Sequence, residues 1–250
     1  MKKLFLLAFA FIISGCGGGG GGGGGGTSSP TTNASAQGVW QGTSSTGYTL
    51  DLIVLPNNQF VDIFGTPTGG NGLTVVGYDA GTGSISGSTL TANITEYIST
   101  GQSATGTLNG TVVTGSSING SATYSNGNTS TFSLTPLTGF NYNTPATLAS
   151  IGGTWNGTLL GGGSATLTVN SSTGAFTGLS SAGCSFTGTV TPNASVNAYT
   201  TTLTMGNSPC AYPGTTTTGI AVIYPTTSGT TQLIAQANSG TVSAMFFAQR

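Results

Sequence analysis

The 250-residue sequence contains no histidine, and only 3% of it is charged. Lys2, Lys3 and Arg250 are its cations; Asp51, Asp62, Asp79 and Glu96 are its acidic side chains. Acid–base catalysis draws on His, Glu, Asp or Lys gathered in one site. Residues 97–249 hold none of these, so a Ser–His pair, a histidine metal cluster and a lysine nucleophile are all excluded. The composition predicts a protein that is not an enzyme and uses no cofactor. A basic surface for nucleic acid is missing as well. Disorder does not follow from the scarcity of charge, because its signature is high net charge with low hydrophobicity. Here the formal net charge is −1 and 36% of residues are hydrophobic.

Long apolar runs are equally scarce. The clearest lies at residues 4–13, behind Lys2 and Lys3, and is followed by Ser14, Gly15 and Cys16. A positive start, a short apolar stretch and small residues read as a secretory signal over residues 1–15. The run is too short to span a bilayer as a mature helix. Ile13-Ser14-Gly15-Cys16 resembles the lipobox of bacterial lipoproteins. That resemblance implies cleavage before Cys16, a diacylglycerol on its thiol and an acyl chain such as palmitate on its amine. Two or more chains hold a protein stably at a membrane. Gly17, in place of an aspartate, implies sorting to the outer membrane. Ten glycines, Gly17 to Gly26, then lead into a Ser/Thr/Asn-rich stretch. Residues 16–37 have no apolar face and read as a tether with a random-coil reach of roughly 25 Å.

Of three cysteines, Cys184 and Cys210 remain after lipidation, and in an oxidising compartment a disulfide between them is expected.

The rest repeats itself. GVWQGT begins at Gly38 and GTWNGT at Gly153, each followed by short β-prone runs separated by Gly, Asn, Ser and Thr. This predicts two all-β domains, 38–137 and 152–250, joined by a linker over 138–151. Strands are expected in the first half near 39–43, 48–55, 59–65, 73–78, 84–86, 89–97, 104–113, 117–124 and 129–134. In the second half they are expected near 154–159, 165–170, 175–179, 185–191, 199–205, 219–224, 232–237 and 241–249. Alternation is one-sided: in SATLTVN, Ala165, Leu167 and Val169 share a face. Two tandem antiparallel barrels of about eight strands solve the exposed-edge problem, with half-open sandwiches as the alternative.

Gly-x-Trp near a first strand resembles the opening of lipocalin-type barrels, which implies that Trp40 and Trp155 plug one end of each core. The acylated cysteine, glycine-rich tether and Gly-rich β-domains resemble transferrin-binding-protein-B-like and factor-H-binding-like surface lipoproteins. The chain departs from them in its near absence of charge and of handle domains, so neither protein ligand is carried over.

One stretch stands out as a possible surface site. In YTLDLIVLPNNQFVDIFG, Asn57-Asn58 suits a two-residue hairpin turn, since Asn tolerates positive φ. Such a turn sets Leu55 opposite Phe60 and Ile53 opposite Asp62. Leu50, Leu52, Val54, Val61 and Ile63 then form a core face. Asp51, Ile53, Leu55, Phe60, Asp62 and Phe64 form the other, too apolar for solvent and too acidic for a second core. This is the candidate partner-binding face; the alternatives are that the second domain covers it or that the register is shifted. Asp51 and Asp62 would sit diagonally across one Ca²⁺, but two carboxylates alone make a weak hard-cation site, and no metal is expected. The sequence thus predicts an outer-membrane-anchored protein that binds a partner non-covalently. A passive structural role and carriage of a small apolar ligand are the alternatives.

Overall fold

A computed structural model describes residues 32–69, 72–226, 229–239 and 242–250. The signal segment, Cys16 and the glycine tract lie outside the described residues.

Eight antiparallel strands follow Gly38 in simple up-and-down order: β1 (Gly38–Ser44), β2 (Thr49–Val54), β3 (Gln59–Gly69), β4 (Gly72–Ser86), β5 (Thr89–Ile98), β6 (Ser103–Val113), β7 (Ser117–Tyr124) and β8 (Thr129–Pro136). The last pairs with the first, Gly42 opposite Leu134, and closes the sheet into a barrel. The runs expected separately at 73–78 and 84–86 are one strand, β4, because residues 79–82 keep pairing with both neighbours and Gly83 with β5. After a one-turn helix, α1 (Leu148–Ile151), capped by the Thr147 side chain, a second barrel repeats the plan. Its strands are β9 (Gly153–Leu159), β10 (Ser164–Val169), β11 (Ala175–Ser180), β12 (Ser185–Pro192), β13 (Tyr199–Met205), β14 (Thr216–Pro225), β15 (Thr231–Asn238) and β16 (Ser243–Gln249). β16 closes on β9. The fold is all-β with two closed eight-stranded barrels, and the sandwich alternative falls away.

Period-two alternation explains the interiors. In the first barrel Trp40, Leu52, Val54, Phe60, Leu90, Val112, Ile118 and Leu134 point inward. In the second, Ala165, Leu167 and Val169 do so with Trp155, Phe176, Val190 and Leu233. Each tryptophan sits at the end where the chain enters, with its indole N–H donated to a carbonyl four residues earlier. Trp40 bonds Ala36 at 2.7 Å and Trp155 bonds Ile151 at 2.8 Å. A buried indole that keeps a hydrogen-bond partner loses nothing by leaving water. Behind Trp155, Arg250 stacks 3.9 Å from the ring centroid and donates to the carbonyls of Ser150 and Gly152.

The folded body begins before Gly38. Asn33 accepts from the Gly87 amide, Ala34 donates to the Gly87 carbonyl, and Ala36 is buried beneath Trp40. The expected tether boundary at residue 37 is therefore several residues too late. Part of the segment 138–151 packs against the first barrel. Tyr142 is buried and its hydroxyl donates to the Val54 carbonyl at 2.6 Å.

Candidate functional site

The hairpin between β2 and β3 is the place to start, and the structure corrects its register. Val54 faces Phe60, Leu52 faces Asp62 and Asp51 faces Ile63, a slip of one residue from the expected pairing. The loop is Pro56-Asn57-Asn58. Asn58 donates to the Leu55 carbonyl at 2.9 Å and alone adopts positive φ, at 61°. That is a type I turn with proline at its second position, followed by a left-handed residue. Proline presets the φ that this position needs and has no N–H to offer a strand ladder. A one-residue slip turns every side chain of β3 over.

The proposed partner-binding face is consequently not one surface. Phe60, Asp62 and Phe64 point into the first barrel, while Asp51, Ile53 and Leu55 point outward. The outward set is covered by the second barrel, where Ile53, Val61, Ile63 and Tyr78 pack with Ile220, Val222, Tyr224 and Ile234. Asp51 is 1% exposed and accepts from Tyr224 Oη at 2.9 Å and Gln41 Nε2 at 3.0 Å. Burial pushes its carboxyl up to about 6, against the pull of those two hydrogen bonds. Asp51 and Asp62 stand on opposite faces of the sheet and share no ion site. Among the described residues no group of three or more His, Cys, Asp or Glu is arranged to hold a metal.

What the slip creates is a row inside the first barrel. Asp62 on β3 faces Asp79 on β4, which faces Glu96 on β5. Directly opposed residues put their Cβ atoms roughly 5 Å apart. With Tyr48, Phe64, Tyr124 and Phe132 they line a chamber of about 360 Å³ whose rim is formed by the β1–β2 and β7–β8 turns. Tyr124 Oη donates to Asp79 Oδ2 at 2.8 Å. Asp79 Oδ1 and Asp62 Oδ1 are buried with no hydrogen-bond partner. Desolvation raises all three carboxyls. Asp79 reaches about 7, helped by neighbouring Glu96 and opposed by the Tyr124 bond. Asp62 goes well above its ordinary value, with Asp79 and then Asp51 adding to burial.

The second barrel contains a lumen of opposite character. About 350 Å³ is bounded by Leu167, Phe176, Leu203, Ala235, Ala237 and Phe246, among others. Its mouth is crossed by the loop after β13, which the Cys184–Cys210 disulfide ties to the β11–β12 turn. Cys210 is buried, Pro209 and Ala211 line the cavity, and Tyr212 is 48% exposed at the rim. Trp40 and Trp155, both 2% exposed or less, are buried core residues, each the third residue of its sequence repeat.

No protein-family model matches the sequence, and no curated protein matches it. Among solved structures the chain is similar to the isotype 1 transferrin binding protein B of serogroup B Neisseria meningitidis, with 12% identity and a TM-score of 0.29. That match covers 81% of this chain and 59% of the other. It is also similar to a variant of the vaccine antigen transferrin binding protein B of Haemophilus parasuis, at 7% identity and a TM-score of 0.25, over 84% of this chain and 66% of the other.

Proposed function

We propose that this is an acylated outer-membrane protein that acts by non-covalent binding, and that the second barrel carries a small apolar ligand. The observation that supports this most is the cavity of about 350 Å³ framed by Leu, Phe, Met and Ala side chains. Ligand sites are concave, mostly apolar and of this size or larger. A filled barrel would have closed that space with Leu or Phe layers; here Ala221, Ala235, Ala237 and Ala244 leave it open. The reading places no chemistry on the ligand, in keeping with a chain so poor in acid–base groups. The lipid anchor, carried by Cys16, would hold the carrier at the envelope.

The test uses the mature polypeptide bearing Cys16→Ser, which leaves it unacylated and free of detergent. The apolar fluorophore N-phenyl-1-naphthylamine should bind with a blue-shifted, enhanced emission. The double variant Ala235→Phe/Ala237→Phe should lose at least tenfold in affinity while keeping its far-ultraviolet dichroism. Equal binding by both proteins, or none by either, would refute the carrier and leave a passive structural role.

A further inference from the structure

The acidic chamber of the first barrel is independent of that lumen and has no part in the apolar-carrier reading. Its three carboxylates are three of the four acidic side chains in the sequence. On the surface each would be hydrated at no cost. Inside, each either holds a proton or, once ionised, carries a desolvation penalty that a counter-charge or hydrogen bonds must offset. Among the described residues one such bond is found, from Tyr124. Asp79, 6% exposed, keeps Oδ1 buried and unpartnered, and Asp62 Oδ1 is in the same condition. Arg250 is the sole cation among the described residues, and it is engaged at the closed end of the other barrel. When these carboxyls ionise, no cation of the described residues is there to meet them, and a counter-charge has to enter from outside.

The rest of the wall says what kind of cation fits. Tyr48, Phe64, Tyr124 and Phe132 border the chamber, with the Tyr48 and Phe64 rings 5.6 Å apart. Aromatic faces attract ammonium groups and contribute no ligand to a hard metal ion. A volume of about 360 Å³ far exceeds a bare ion and suits a small organic molecule. Thr46, Asn128 and Thr129, exposed at the rim, leave the entrance polar and uncharged.

We infer that the first barrel binds a small organic cation, an alkylammonium or quaternary ammonium, with Asp62, Asp79 and Glu96 as its counter-charge and the surrounding rings as its walls. Loading and release are governed by the charge of the carboxylates. The titratable groups facing the site are Asp62 on β3, Asp79 on β4, Glu96 on β5, Tyr48 ahead of β2 and Tyr124 on β7, with Asp51 acting on Asp62 through the sheet.

Calorimetric titration of the Cys16→Ser mature polypeptide at pH 8 and low salt tests this with three probes. These are choline, its neutral isostere 3,3-dimethylbutan-1-ol, and calcium chloride. Choline is expected to bind at least tenfold more tightly than the neutral alcohol. The variant Asp62→Asn/Asp79→Asn is expected to lose at least tenfold in choline affinity. Because the substitutions keep shape and remove buried charge, that variant should melt no lower than the parent and still bind N-phenyl-1-naphthylamine as the parent does. Equal affinity for choline and the alcohol, calcium binding without choline binding, or no choline binding by a protein with an intact melting transition would each overturn the inference. Failure of the naphthylamine to bind would count against the apolar carrier alone.

Discussion

Next to the Phe60–Gly81 pair of the first barrel stand Asp62, Asp79 and Glu96; next to the equivalent Phe176–Gly188 pair of the second stand Gly178, Phe186 and Met205. Below that row two features are shared. Both barrels have an indole hydrogen-bonded four residues back. Both lay a phenylalanine ring over a glycine whose Cβ would strike it, at 3.1 Å from Phe60 at Gly81 and 2.5 Å from Phe176 at Gly188. The closed half of each barrel is thus fixed by packing, and the open half is free to change. One frame supports a charged aromatic chamber and an apolar lumen because the frame does not depend on the mouth-side residues.

The comparison can be broken most forcefully at the plugs. Trp40→Ala and Trp155→Ala should each cost about 3–5 kcal/mol, read from denaturant midpoints. Trp155 should cost more, because Arg250 loses its stacking partner with it; an equal or smaller loss at Trp155 would mean that the Arg250 contact adds nothing to stability. The disulfide belongs to one barrel alone. Cys210→Ser should remove roughly 3.5 kcal/mol in the loop-entropy account and weaken naphthylamine binding, leaving choline binding in the first barrel unchanged. Equal damage to both sites would show that the mouths are coupled.

Acidity should separate the barrels next. Asp79 and Asp51 hold their protons up to about 7 and about 6, against 3.8 in an unfolded chain. The native state therefore binds more protons than the unfolded state between those values, and stability falls as pH rises through them. The melting temperature should drop by about 5–10 °C from pH 4 to pH 8, and Asp62→Asn/Asp79→Asn should flatten most of that slope. A flat profile in the parent would mean that the acids are solvated. Ligand affinity runs the other way: choline should bind more weakly at pH 5 than at pH 8, as the carboxylates take up protons. The smallest effect lies between the barrels. Tyr224→Phe leaves Asp51 Oδ2 without its donor and should cost about 1–3 kcal/mol, with both binding sites retained.

Much of the frame was legible in the chain. Strand number, the paired Trp positions and the inward set of SATLTVN all follow from period-two patterning, and that patterning is local. The cysteine pair could be read from compartment and count. The hairpin face departs from the expected one because one residue, Pro56, decides the turn: it takes the second position of a type I turn and lengthens the loop beyond Asn57-Asn58. Asp62 then changed sides. The acid row was illegible for a related reason: it exists only when three strands are in correct mutual register. A clue was present in the even spacing of positions 62, 79 and 96, which is what an up-and-down sheet produces when one lumen row is marked by one residue type. The burial of Asp51, Ile53 and Leu55 by the other barrel depends on contacts across more than a hundred residues, and no local pattern encodes them.

Closure by the first and last strands has a cost in time. β1 meets β8, and β9 meets β16, only after the whole intervening meander is in place. Non-local pairing of this kind slows folding, since chain entropy is lost before the final contacts form. Until then each half presents two unpaired edges. Natural edges are commonly guarded by a charged side chain, yet β1, β8, β9 and β16 carry none. The unfinished chain therefore has an interval in which its own uncharged edges are open to any other strand. The yield of folded protein is set by how quickly those edges find each other.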